Sequence, residues 1–91
     1  MGAIAAAIDR KLNAALAPAR LVIIDDSAKH AGHAGAREGG ESHFTVDIVS
    51  AAFAGKSRVA RQRLVYGLLK DEFDAGLHAL ALITRTPDEA A

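Results

Sequence analysis

The sequence predicts an α+β fold in which helices cover one face of a three-stranded sheet. Three observations predict it: an N-terminal segment with apolar residues at every fourth position, a central segment with strict apolar alternation, and an arginine-rich helical segment before a last apolar run. The 91 residues are enough for one domain with one modest core, so residues 1–91 are predicted to form a single domain.

The N-terminal segment from Ala3 to Leu16 is predicted to be an α-helix. It contains six alanines, and alanine has the highest helix propensity. One apolar stripe runs along it, made of Ile4, Ile8, Leu12 and Leu16. Pro18 ends the helix, because proline disfavours helical geometry in the residue before it.

Two strands follow, separated by a long polar segment. Leu21–Ile24 is a short β-branched run, and Glu41–Ser50 alternates Phe44, Val46 and Ile48 with mostly polar residues. The Gly- and His-rich residues 26–40 between them are too polar for a core, and loops this long are often functional or disordered. Antiparallel pairing of the two strands is the simplest topology.

The next segment is predicted to form a helical turn at 50–53 and then a long helix. Gly55 permits a sharp bend, and Ser57 is suited to cap a helix from Arg58 to about Phe73. Gly67 weakens such a helix by about 1 kcal/mol relative to alanine, which indicates either close packing or a break there. Gly76 is suited to end it.

The C-terminal segment is predicted to be a third strand, Leu77–Thr84, followed by a short helix. Apolar residues occur on both faces of this strand, which is typical of a central or well-covered strand. Thr86 and Pro87 have the residue types preferred at a helix N-cap and first helical position.

Composition excludes several classes of function. The formal net charge is zero and there is no cysteine, so the chain has no disulfide, no thiol nucleophile and no thiolate metal ligand. A neutral chain is not typical of non-specific nucleic-acid binding. No apolar run approaches the roughly 20 residues that span a bilayer. A soluble, cytoplasmic protein without a membrane partner is expected.

Four histidines are candidate metal ligands, since neutral imidazole is the commonest metal ligand in proteins: His30, His33, His43 and His78. His30 and His33 are close enough in sequence to bind one metal ion, or they are simply solvated. His78 begins an otherwise apolar strand, where its ring either binds a ligand or is satisfied by backbone carbonyls.

A hydrolase triad built on Ser42 and His43 is not favoured. The serine has no nucleophile-elbow context and no oxyanion-hole sequence is visible. Hydrogen bonds from Ser42 and His43 that fix the start of the second strand are the preferred interpretation.

Five of the eleven basic residues lie within fifteen positions of the predicted long helix and its start: Lys56, Arg58, Arg61, Arg63 and Lys70. They form either a solvated helix surface or a patch for phosphate or an acidic partner.

Six short motifs, in this order and spacing, resemble the BolA family over about Ile4 to Pro87. They are Asp25-Asp26-Ser27-Ala28-Lys29-His30, Glu41-Ser42-His43-Phe44, Ile48-Val49-Ser50, Phe53-Ala54-Gly55, Arg61-Gln62-Arg63 and Leu77-His78-Ala79-Leu80. The resemblance implies a fold similar to type II KH domains, with a three-stranded mixed sheet packed by helices in the order α-β-β-α-α-β and a short C-terminal helix.

The resemblance also implies a function. BolA-like proteins are partners of monothiol glutaredoxins, and the pair shares a bridging [2Fe-2S] cluster with glutathione. The family's C-terminal histidine ligand corresponds to His78, and its loop ligand corresponds to His30, with His33 as a nearby alternative. The implied role is iron–sulfur trafficking or iron-responsive regulation under stress, not catalysis. No cluster is expected in the isolated chain, which would be a monomer or a weak homodimer.

An alternative is a DNA- or RNA-binding transcriptional regulator that uses the basic helix 57–70. The resemblance to KH domains suggests it, but Gly55-Lys56-Ser57-Arg58 lacks the second glycine of a Gly-x-x-Gly loop. Relatives have histidine where this chain has Gln62, which leaves the role of that position open.

Overall fold

The computed structural model describes residues 2–26 and 43–91. The helices are α1 (Ala3–Leu16), α2 (Arg58–Leu68), α3 (Lys70–Asp74) and α4 (Pro87–Ala90), and the strands are β1 (Arg20–Asp25), β2 (His43–Val49) and β3 (Ala79–Arg85). A 3₁₀ turn, Ala51–Phe53, follows β2. The α+β class and the mixed three-stranded sheet predicted from the sequence are confirmed.

Helix α1 forms where the apolar stripe predicted it. Ile8 and Leu12 are fully buried, and the helix ends where Ala17 adopts a left-handed conformation before Pro18. On its other side, Lys11 donates hydrogen bonds to both carboxylate oxygens of Glu72 at 2.8 and 3.0 Å. This contact fastens α1 to α3.

Strand β2 is the centre of the sheet, with β1 on one side and β3 on the other. The β1–β2 pair is antiparallel, as predicted, and the β2–β3 pair is parallel. The prediction that β3 is central or well covered is wrong, because β3 is an edge strand on which Ala81 and Ile83 are exposed. Small and apolar residues on its second face therefore reflect an open sheet surface.

The helices pack against one face of the sheet. Phe44, Val46 and Ile48 point into this core and are at most 2% exposed. The opposite face carries Ile24 and Ile83, which are 48% and 45% exposed. The alternation of apolar and polar residues in β2 therefore corresponds to a sheet that is buried on one face, as the sequence predicted.

The long predicted helix is two helices. α2 ends at Leu68, and Leu69 leaves helical geometry with its side chain fully buried before α3 begins. A Cβ atom at Gly67 would meet no atom within 4 Å, so the glycine marks a break nearby and not close packing. The break turns α3 so that Glu72 reaches Lys11.

The predicted turns and caps are confirmed. Gly55 has a positive φ of 75° and Gly76 one of 124°. Ser57 Oγ accepts a hydrogen bond from the backbone of Ala60, and Thr86 forms a capping box with Glu89. In the ranges 2–26 and 43–91, no helix is both long and apolar enough to cross a bilayer.

Candidate metal centre at the start of the sheet

Parallel pairing brings two histidines to the same end of the sheet. His43 is the first residue of β2 and pairs with Ala79, the first residue of β3. His78 directly precedes Ala79 in the chain. The centroids of the two imidazole rings are therefore only 5.5 Å apart, with the ring planes inclined by 56°.

The backbone next to His78 is held firmly while the residue itself is exposed. Leu77 is 3% exposed, and its N–H donates to the carbonyl of Glu72 at 2.9 Å. Leu80, two residues into the strand, is also buried. His78 lies between these anchors and is exposed, so an imidazole on a rigid support is accessible to another molecule.

A depression of about 290 Å³ lies beside His43 and is lined by Asp26, His43, Phe44, Thr45, Ala79, Leu80 and Ala81. The N–H of Asp26 donates to the carbonyl of His43 at 2.7 Å. The Thr45 hydroxyl donates to the Asp26 carboxylate. One carboxylate thus lines the same depression as His43, where its negative charge favours a cation.

The donor set determines what this site can bind. Among residues 2–26 and 43–91 there is no group of three or more metal-binding side chains, and the whole sequence has no cysteine. A shared iron–sulfur cluster fits this set, since accessible imidazoles can complete a centre whose thiolates come from another molecule. The predicted loop ligands, His30 and His33, lie outside the described residues.

His43 is one of the four histidines named above as candidates, but the sequence reasoning missed its position beside His78. It was predicted, with Ser42, to fix the start of a strand through hydrogen bonds; Ser42 lies outside the described residues. A signal for its proximity to His78 was present, because a strand–helix–strand order usually gives parallel strands. The starts of parallel strands meet at one sheet edge, and a histidine is found at each.

The basic residues divide into two groups. Four of them are exposed: Lys56, Arg58, Arg63 and Lys70. Arg61 is 9% exposed and is used internally. Its guanidinium donates to the carbonyls of Lys56 and Thr84 at 2.9 and 3.2 Å, and to both Glu89 oxygens at 2.6 and 3.2 Å. Arg61 therefore adds nothing to an exposed basic patch.

Two ionisable groups are shifted by these interhelical contacts. Hydrogen bonds from Arg61 and from the Thr86 backbone lower the pKa of Glu89 to about 2. The hydrogen bond with Glu72 raises the pKa of Lys11 from its usual value. Both shifts belong to contacts that attach helices to the rest of the fold, away from the histidine pair.

The fold and site together define a small α+β protein with a mixed sheet covered on one face and an exposed imidazole pair at one end. The family model described as "BolA-like protein" matches residues 12–89. The chain belongs to the BolA family, as its motifs predicted.

Three similar proteins illustrate the match. The UV-induced protein uvi31 of Schizosaccharomyces pombe is 50% identical over 88 residues, which cover 92% of this chain and 86% of that protein. The chloroplastic protein BOLA1 of Arabidopsis thaliana is 52% identical over 82 residues, or 88% of this chain and 51% of that protein. The solved BolA domain of SufE1 from Arabidopsis thaliana has a TM-score of 0.89 at 47% identity, with 98% of both chains covered. The chain thus spans about half the length of the chloroplastic relative.

Proposed function

We propose that this chain is a binding partner of a monothiol glutaredoxin and that the two proteins share a bridging [2Fe-2S] cluster. In this proposal the chain is not an enzyme. It contributes imidazole to a centre whose thiolates belong to glutaredoxin and glutathione, in the cytoplasm and in iron–sulfur trafficking or iron-responsive regulation.

The observation that carries the proposal is the exposed position of His78 at the start of β3. Membership of the BolA family makes His78 the expected ligand, and a ligand shared between two proteins must be accessible on its own protein's surface. An enclosed ring would exclude sharing, whereas His78 is exposed. The buried residues Leu77 and Leu80 fix its backbone, so little order has to be gained on binding.

The second imidazole is proposed to come from His30 or His33, the pair that the family resemblance implies. When bound, the cluster would supply one-electron redox chemistry, with a potential raised by neutral imidazole ligands relative to an all-thiolate cluster. The role of this chain is to present imidazole in its neutral form and to orient it.

The test is to mix the chain with a cluster-loaded monothiol glutaredoxin and record visible absorption and circular dichroism spectra. The wild-type chain is expected to change the spectrum, and His78→Ala to abolish that change. Because His78 is exposed, the alanine variant should fold normally, which far-ultraviolet circular dichroism checks. An unchanged spectrum with the wild type would refute the proposal.

A matched variant gives the test a positive control. His78→Cys replaces the imidazole by a thiolate, which also binds iron, so the shared spectrum should persist with a lower reduction potential. Single alanine variants of His30 and His33 identify the loop ligand. If His78→Cys and His78→Ala behave alike, the effect of the alanine change is not loss of a ligand.

A further inference from the structure

We infer that His43 and His78 together form a binding site for a single divalent transition-metal ion, such as Zn²⁺, in the chain on its own. This inference goes beyond the proposed function, because His43 is not one of the ligands that the family resemblance implies. It also requires neither a partner nor a cluster.

The separation of the rings carries the inference. Two imidazoles that bind one tetrahedral Zn²⁺ through nitrogens at about 2.0–2.1 Å have ring centroids about 5 Å apart. The observed separation is 5.5 Å, so the backbone already places the rings at nearly the distance that a shared ion requires.

The surroundings of the pair favour a cation of this class. Imidazole suits Zn²⁺, Ni²⁺ and Cu²⁺, while carboxylate-rich sites suit Ca²⁺ and Mg²⁺. The Asp26 carboxylate is fixed nearby through its hydrogen bond from Thr45, and it adds negative charge to the depression. The remaining coordination positions would be taken by water, which the open depression admits.

The positions of both ligands are set by strong elements of the fold. His43 is the first residue of the central strand and is paired on both sides, with Asp26 through backbone hydrogen bonding and with Ala79 through the parallel register. His78 follows the buried Leu77. A site with two ligands on neighbouring strands costs little conformational entropy to form.

The test is titration of the isolated chain with Zn²⁺, using a background variant that carries His30→Ala and His33→Ala. This background removes the two other histidines, so any remaining imidazole site is the pair. One equivalent of Zn²⁺ is expected to bind, and side-chain nuclear magnetic resonance signals of both His43 and His78 should move together. His43→Ala or His78→Ala in this background should weaken binding by at least about tenfold.

The control is Thr45→Val, which removes the hydroxyl that holds Asp26 but leaves both imidazoles. It should retain the one-to-one stoichiometry. The inference is overturned if the background variant binds no Zn²⁺, if only one ring responds, or if His43→Ala binds as tightly as its parent. Because no glutaredoxin or iron is present, these results are independent of the test of cluster sharing.

Discussion

The Arg61→Lys substitution tests the claim that this arginine is structural and not part of a basic binding surface. Arg61 points its guanidinium into the junction between α2, the end of β3 and α4. Two of its hydrogen bonds go to the backbone carbonyls of Lys56 and Thr84. Its guanidinium also lies 5.8 Å from the centroid of the Phe53 ring, within cation–π range.

The size of the effect follows from these contacts. Lysine keeps the charge but is a point donor, so it cannot satisfy both carbonyls and the carboxylate at once. Hydrogen bonds from charged donors contribute about 1.5–3 kcal/mol each, and at least one of them is lost, so the free energy of unfolding should fall by about 1.5–3 kcal/mol or more. The ion pair with Glu89 adds nothing to this figure, because its carboxylate is half exposed to water.

The assay is urea unfolding at neutral pH, followed by circular dichroism, with Arg63→Lys as the matched control. Arg63 lies two residues along the same helix and is exposed, so its substitution should change the free energy of unfolding by less than about 0.5 kcal/mol. For a chain of this size, the Arg61 variant should also melt roughly 10–20 °C lower. Equal stabilities of the two variants would refute the structural role of Arg61.

Three further predictions concern other contacts. Ser50→Ala should lower the free energy of unfolding by about 2–3 kcal/mol, because the buried hydroxyl donates to the Leu16 carbonyl and accepts from a backbone N–H. The control, Ser57→Ala, removes an exposed helix cap and should lower it by about 1 kcal/mol. Equal losses for the two variants in urea unfolding would contradict this prediction. Because the pKa of Glu89 is lowered to about 2, the ionised carboxylate contributes its full stability above about pH 4.5, and this contribution is lost as the pH falls towards 2. The urea midpoints measured at pH 5 and pH 3 should therefore differ less in Glu89→Gln than in the wild type. Tyr66→Phe removes the hydroxyl that donates to the Leu80 carbonyl at 3.0 Å. The free energy of unfolding should fall by about 1 kcal/mol, and amide hydrogen exchange in β3 should become faster. Unchanged exchange rates in β3 would contradict this prediction.

Much of the fold was predictable because its signals are local. The four-residue spacing of the α1 stripe, the alternation around Phe44 and the caps at Ser57 and Thr86 each depend on a few neighbouring residues. Such patterns fix which side of an element is buried, and the structure agrees with each of them. Of these elements, only β2 carries a member of the histidine pair, His43.

The features that were not predicted depend on distant contacts. The sequence left open close packing or a break at Gly67, and the choice of a break at Leu69 is set by burial of the Leu69 side chain and by the Lys11–Glu72 contact across 61 positions of sequence. The edge position of β3 depends on which strand pairs with which, and apolar residues on both faces do not distinguish an open face from a covered one. The proximity of His43 and His78 likewise needs the parallel register, which no local pattern contains.

The two ends of β3 therefore have separate tasks, and this separation can itself be tested. The strand begins directly after His78, and near its other end the Thr84 carbonyl accepts a hydrogen bond from Arg61. These two points are roughly 20 Å apart at the rise of a strand. Substitutions that far apart with no shared partners should act independently. Arg61→Lys should lower stability and leave Zn²⁺ affinity unchanged, while His78→Ala should weaken Zn²⁺ binding and leave stability unchanged. If Arg61→Lys also weakened Zn²⁺ binding, the metal site would depend on the contacts that Arg61 makes near the far end of β3. The site could then not be attributed to the starts of β2 and β3 alone.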